Sequence, residues 1–583
     1  MRLIYCVLLF ITFSLCNSGD EQPSGGKDIA RQFGNFQQKF LDSFWKNNPA
    51  EAIYAGYGKY YENLKVPDST SFINDIAFSR RWLDSLHLYD YASLSSDDKI
   101  NYNVISNRLQ KNIWYIDTFR IQQWDPSQYN IGGECYYLLI QNDVALDAKL
   151  LALSSHLQNA GAYFAAAASN IKEPSREYTQ LGILQNERSL SVFGTSLLDS
   201  IKASSLPREQ KFLLLQNIDT ATKAIKSYVA FLQSKLVDPN YHFRDFRIGK
   251  PLYDTKFRYD MAIDLTPEQL YAKAIAAKNE SHTKMFSIAD GLWLKYFGSL
   301  AKPADSLQLI KTVIDKVALQ HAPVQHLMDT ARNLVHNLLK FIRQKDLFAY
   351  DTSYPLQVRY TPGYASGVAL ASADFPPPYK QTSVTYFNID DLTTLPPAKA
   401  ESQLREYNNY TLQILTIHEA IPGHCLQGVY NSRNKTGVVK SVFQNGAMIE
   451  GWAVYTERMM MENGWGNNSP ELSLMYYKWV LRECCNVIVD YGLQCRNMSQ
   501  QDFTNLLVNE AFQEAAQVEE KYHRATVSQV QLCSYFAGST AILALREAYQ
   551  NKKQNAYSLK DFHEKFLSYG SAPVKYISEM MLQ

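Results

Sequence analysis

Along most of this chain apolar residues recur every three or four positions, the period of a helix with one buried face. The pattern begins at Ile29, in the run IARQFGNFQQKFLDSFW, and Asn48-Pro49 closes it. Amphipathic runs of the same kind cover 72–86, 143–168, 210–236, 267–286 and 307–341. Thr266-Pro267-Glu268-Gln269 has the form of a helix start, with a Thr cap, proline in the first turn and Gln where a capping box needs it. Between 346 and 397 the pattern changes to proline, glycine and β-formers, punctuated by Tyr360-Thr361-Pro362-Gly363-Tyr364 and Phe375-Pro376-Pro377-Pro378. Within it Ser383-Val384-Thr385-Tyr386-Phe387-Asn388-Ile389 reads as a strand. Helical spacing then resumes to the end, with starts at Ser499-Gln500-Gln501-Asp502 and Ser558-Leu559-Lys560-Asp561. No repeat of fixed period is present, which excludes a solenoid. The expected class is mainly α: a large multi-helix body with a small β element ahead of residue 418. A helical part, 29–345, and a second part, 346–583, are expected to form one integrated body.

The N-terminus departs from this periodicity. Arg2 precedes an apolar run, 3–13, and small or polar residues, 14–19, the layout of a signal peptide over 1–18 followed by a flexible linker over 19–28. The run is too short to span a bilayer comfortably, and no later stretch reaches the roughly 18 apolar residues a membrane helix needs. The mature protein is therefore expected to be exported, periplasmic or secreted, with Cys16 as a candidate lipid anchor. Cleavage after Ser18 fits equally well. Six cysteines would remain, Cys135, Cys425, Cys484, Cys485, Cys495 and Cys533, and the adjacent pair is expected not to bridge.

Composition narrows the field further. Across 583 residues, 58 Lys and Arg almost cancel 57 Asp and Glu, so no basic field exists to draw nucleic acid.

Chemistry concentrates in Leu415 to Gln427, LTIHEAIPGHCLQ, which holds His418, Glu419 and His424 at the end of an apolar run. Zinc hydrolysis needs two or three fixed ligands, an open position for water and a carboxylate beside that water. The familiar signature places two histidines four apart on one helix face. Here the spacing is six, which puts the rings about 120° apart on a regular helix. Pro422 lacks an amide N–H and Gly423 accepts unusual dihedrals, so the helix is expected to loop out between 420 and 423 and return His424 to His418. Met448 to Glu457, MIEGWAVYTE, offers the third ligand: Glu450 and Glu457 are seven apart on one face with apolar surroundings. Glu450 is read as the ligand and Glu457 as the carboxylate that orients a ligating histidine. His563-Glu564 has no second histidine nearby and is read as part of a surface helix.

Together, HEAIPGHCLQ and EGWAVYTE resemble the bacterial family catalogued as domain of unknown function 885, grouped with gluzincin-like zinc metallopeptidases. Further similarity lies in Asn48-Pro49-Ala50-Glu51-Ala52 with Gly56, in Val489-Asp490-Tyr491-Gly492-Leu493, in Gln531 with Ser534-Tyr535 and Gly538, in Leu545-Arg546, and in Leu567 to Pro573. The resemblance runs from about residue 30 to 583. It implies a mostly helical fold and one zinc ion on His418, His424 and Glu450, with Glu419 as base. Two positions depart from the pattern: Gln494 stands where the family has His, and Gln529-Val530 where it has Pro-Gly.

On this reading the chain is an exported zinc peptidase in which a metal-activated water, deprotonated by Glu419, attacks a peptide or oligopeptide. Tyr535 is the first choice for an oxyanion donor, with His523 and Arg524 behind it. A substrate is expected to add itself along the 383–389 strand, beside Tyr386 and Asn388. A zinc amidase or esterase on a non-peptide substrate, or a catalytically inactive secreted binding protein, remain the alternatives. Oligomeric state is left open.

Overall fold

The computed structural model describes residues 26–583 except 142, 351–352, 354, 363–369, 376, 381–383 and 434–437. The proposed signal peptide, Cys16 and nearly all of the linker lie outside the described residues. What is described is mainly helical with one small sheet.

Helix α1 (Gly26–Asn47) buries Phe33, Phe36, Phe40 and Phe44, one residue per turn, and α2 (Pro49–Ala55) begins at the proline that ends the first run. Further on, the helix Arg208–Val237 packs against Leu146–Leu157, Ala160–Asn170 and Arg176–Ser189 to enclose an apolar cluster. Helix α3 (Pro267–Phe297) starts with the capping box read from its sequence: the Gln269 N–H donates to Thr266 Oγ1 at 3.2 Å, and the Thr266 N–H to Gln269 Oε1 at 2.9 Å. It runs on to Gly298, well past residue 286. Two other runs are shorter than their periodicity suggests. The 307–341 run divides into Ser306–Val317 and Leu327–Gln344, with Pro323 in the gap, and 143–168 divides at Gln158-Asn159.

The sheet comprises β1 (Leu356–Tyr360), β2 (Ala371–Asp374) and β3 (Thr385–Ile389), in the order β1-β3-β2. β3 is central, parallel to β1 through Leu356↔Thr385 to Tyr360↔Ile389 and antiparallel to β2 through Ala371↔Ile389 to Asp374↔Tyr386. This corrects the expectation of a substrate strand along 383–389, because both edges of β3 over 386–389 are already paired. Its side chains are occupied as well. Asn388 is buried, its Oδ1 accepting from Arg359 Nε at 2.8 Å and its amide donating to Ser372 and Asp374, while Arg359 lies 3.6 Å over the Tyr386 ring.

Seven further helices complete the part that concerns function: α4 (Thr411–Glu419), α5 (His424–Arg433), α6 (Gly446–Glu462), α7 (Pro470–Cys495), α8 (Ala515–Thr526), α9 (Ser534–Lys553) and α10 (Leu559–Ser568). Two of the three apolar clusters mix residues from both sides of position 346: one holds Phe33 to Trp45 with Trp452 and Phe566, the other Tyr253 and Leu270 with Leu481 to Leu493. All six cysteines are free thiols, and no described helix is long and apolar enough to cross a membrane. His563, read as a surface residue, is instead fully buried: its ring stacks on Phe348 and it bonds Tyr455 Oη and Leu347 O. The flanking Phe562 and Phe566 turn that face of α10 inward, and burial pushes the imidazole pKa down to about 3, so the ring is neutral.

Helices α6 and α9 cross at Gly451 and Gly538. A Cβ on Gly538 would lie 1.7 Å from Ala447 O and 2.8 Å from Gly451 Cα, so this approach is closed to any side chain. Gly538→Ala is therefore expected to lower stability by about 1–3 kcal/mol or more, through forced separation of the two helices. Gly291→Ala, on α3 with nothing within 4 Å, should raise it by up to about 1 kcal/mol. Thermal unfolding midpoints of the two variants check this; midpoints that move together would contradict the crossing.

Candidate functional site

Helix α4 is buried along Leu412, Ile414, Leu415 and Ile417, and Asn408 sets its start by accepting the N–H groups of Tyr410 and Thr411 at 3.1 and 3.2 Å. Its last turn delivers His418 into the interior, and the helix stops at Glu419. Pro422 follows a cis peptide bond from Ile421, and the Gly423 N–H turns back to Ile417 O at 2.9 Å. A Cβ on Gly423 would lie 1.8 Å from His418 O, so glycine is required for the chain to double back this closely. Helical geometry resumes with His424 at the start of α5. The interruption expected at 420–423 is present, and the two imidazoles meet with centroids 4.8 Å apart and planes at 88°.

The third group comes from α6. Asn445 fixes the phase of that helix: its Oδ1 accepts the Met448 N–H at 2.8 Å, its amide donates to Asp260 O at 2.9 Å, and its own N–H bonds Ser571 O. One turn on, Glu450 Oε2 stands 3.6 Å from His418 Nε2 and 3.5 Å from His424 Nε2. From the same helix the buried Trp452 donates its indole N–H to Pro422 O at 3.0 Å, so α6 both supplies the acid and pins the loop between the histidines. The three side chains bring one ligand atom each within 4.8 Å of one another. Those separations are too long for hydrogen bonds, which fall at about 2.7–3.2 Å. The two Glu450 distances match the roughly 3.3–3.6 Å between two donors on a tetrahedral ion with bonds of about 2.0–2.2 Å. The set of two imidazoles and one carboxylate, with Glu450 24% exposed on its open side, fits a single cation with room for water.

Around this core the polar groups are arranged to hold His418 in one tautomer. Glu457, seven residues beyond Glu450, accepts the Nδ1–H of His418 at 2.7 Å and the indole N–H of Trp479 at 3.0 Å on the same oxygen, which leaves Nε2 as the ring nitrogen that faces Glu450. Its other oxygen, and Glu483 Oε1, are buried with no donor of their own. Burial and the Glu457 charge push the Glu483 carboxyl well above the usual range; the proton it retains is available to Glu457. Trp479 and Glu483 were not singled out from the sequence. The signal was there for the acid: Glu483 and Asp490 are seven apart in the apolar face of α7, as Glu450 and Glu457 are in α6.

Charge within the cluster is set by opposing effects. Burial lowers the His418 pKa, but Glu450 and Glu457 outweigh it and hold the imidazole well above its usual range. Burial raises Glu450, and the two imidazoles more than reverse this. Glu419, partly exposed, has its carboxyl raised by burial against the pull of His424 and His418, a shift in the direction a general base requires.

Of the groups suggested for the oxyanion, Tyr535 lies beside the site, its ring 6.4 Å from His418 at 26°, and burial first, then the Glu450 charge, raises its hydroxyl pKa. Arg524 donates to Gln531 Oε1 at 3.2 Å. His523 is exposed, with its ring against Tyr522 rather than against the cluster; one residue's rotation around α8 separates it from Arg524. The two departures from the family pattern serve backbone. Gln494 Oε1 accepts the Ile248 N–H at 3.0 Å, and Val530, at φ 71°, donates its N–H to Asp490 at 2.9 Å. That φ is one glycine would adopt without strain.

Comparison with solved structures places the whole chain in known company. A "putative lipoprotein of unknown function" from Shewanella oneidensis is 42% identical, with a TM-score of 0.87 over 94% of this chain and 100% of its own. A second "putative lipoprotein", from Colwellia psychrerythraea, shares the fold at 15% identity, with a TM-score of 0.76 over 96% of this chain and 99% of its own. No curated protein matches the chain. With a family model matching residues 49–581, the chain belongs to the family described as "Bacterial protein of unknown function (DUF885)".

Proposed function

We propose that this protein is an exported zinc-dependent peptidase of the gluzincin-like kind. The observation that carries the reading is the convergence of His418 Nε2, His424 Nε2 and a Glu450 oxygen at ion-sharing distances, with Glu419 next in sequence to one ligand. Nitrogen and carboxylate donors in this number suit zinc, which would supply Lewis acidity for a peptide carbonyl and for the attacking water. Glu419 accepts the proton of that water as the C–O bond forms, and returns it to the amine nitrogen as the C–N bond breaks. Glu457 keeps the proton of His418 on Nδ1 throughout, and Tyr535, whose ring lies 6.4 Å from that of His418, donates its hydroxyl to the developing oxyanion.

Export rests on the signal-peptide layout of 1–18 and on relatives described as putative lipoproteins; a lipid on Cys16 would tether the enzyme to a membrane surface.

Purified protein is expected to carry about one zinc per chain, and His424→Ala to lose it, read by metal analysis. Glu457→Gln should retain zinc but bind it about 10- to 100-fold more weakly. Glu419→Gln should keep the metal and lower kcat on a mixed peptide library by about 10²- to 10⁴-fold. Zinc-loaded protein that leaves every peptide intact but hydrolyses cell-wall amides or esters would replace the peptidase reading with the amidase one. Protein that binds no metal would leave a binding role.

A further inference from the structure

Glu457 holds His418, and what holds Glu457 comes from a third helix. His418 stands near the end of α4 and Glu457 on α6, while the indole N–H that meets the same Glu457 oxygen at 3.0 Å belongs to Trp479 of α7. That oxygen is fixed from two directions, by the His418 Nδ1–H at 2.7 Å and by the indole. The other Glu457 oxygen takes no N–H among the described residues. Without the indole the carboxylate could turn about its last side-chain bond and offer either oxygen to the ring; with it, one oxygen is committed and the plane of the group is set.

This bond differs in kind from the other indole bonds of the molecule. Trp45, Trp124, Trp293, Trp452 and Trp465 donate to a hydroxyl, to backbone carbonyls or to a side-chain amide, all neutral acceptors. Trp479 donates to a carboxylate whose side chain is 1% exposed, and a charge-assisted bond is roughly twice as strong as a neutral one. The ring itself is clamped. It packs against two of the apolar clusters, and the Arg482 guanidinium lies 5.4 Å from its centroid.

We propose that Trp479 is a positioning residue for the metal: through Glu457 it fixes the ring of His418, so that Nε2 is presented to the ion in one orientation. The proposal rests on the zinc-peptidase reading and adds α7 to the helices that determine how tightly, and in what geometry, the ion is held. Trp479 acts through the carboxylate, as the outer partners of metal ligands do.

Zinc affinity is measured by competition with a chromogenic chelator, and the visible spectrum of the cobalt-substituted protein reports ligand geometry without any substrate. Trp479→Phe keeps an aromatic ring and loses the N–H. It is expected to bind zinc about 3- to 10-fold more weakly than wild type, below the roughly 10- to 100-fold effect of a direct ligand partner, and to shift the cobalt bands. Trp465→Phe makes the same change of ring beside α4, where the indole serves Gln413, and should leave both readings as in wild type. In a Glu457→Ala background the Trp479→Phe step should weaken zinc no further, because the carboxylate that transmits it is gone. The comparison of the two Phe variants stands by itself if Glu457→Ala does not fold. Unchanged affinity and spectrum in Trp479→Phe would overturn the proposal and leave the zinc reading intact. An equal loss in Trp465→Phe, or a full additional loss on top of Glu457→Ala, would overturn it as well and reduce Trp479 to packing. Wild-type protein that takes up neither metal would defeat the zinc reading and this proposal together.

Discussion

A continuous helix from Thr411 to Arg433 would set His424 about 120° around from His418, and no single ion could reach both rings. The site exists because residues 420–423 leave the helix. Pro422 removes one donor from the ladder, and Gly423 lets its backbone approach the carbonyls of Ile417 and His418 where any Cβ would collide. The loop is then held from outside by Trp452, whose indole reaches Pro422 O from the helix that also carries Glu450. One helix thus supplies one of the three ligands and pins the loop between the other two. Its own position is set by the glycine contact with α9 and by the Asn445 cap.

Behind the ligands the interior is polar in a controlled way. His418, Glu457, Trp479 and Glu483 form a chain in which one carboxylate takes two donors and its buried neighbour retains a proton. Glu457 Oε2 and Glu483 Oε1 are left without a donor there, while the Glu457–His418 bond fixes which ring nitrogen faces Glu450. Such second-layer order is what metal ligands require.

Much of this was legible in the residues. Helical period, the capping box at Thr266, the break at Pro422-Gly423 and the i,i+7 pair Glu450 and Glu457 are local signals, and the structure contains each. What could not be read was pairing between distant segments. The 385–389 strand reads correctly as a strand, but nothing in its own sequence shows that β1 and β2 occupy both edges and close it to a peptide. His563 looked exposed because the residues that cover it, Phe348 and Tyr455, lie more than a hundred positions away. Tyr535 lies against His418 while the His523 ring lies against Tyr522, a distinction set by helix rotation and by the loop around Val530, whose positive φ a sequence does not display.

The most direct test of the shared-ion account is X-ray absorption at the zinc edge of the metal-loaded protein. It predicts a first shell of nitrogen and oxygen only, at about 2.0–2.2 Å, with outer-shell scattering from two imidazole rings. A shell containing sulfur, or one made of water oxygens without imidazole, would contradict it and separate the two histidines from any common cation.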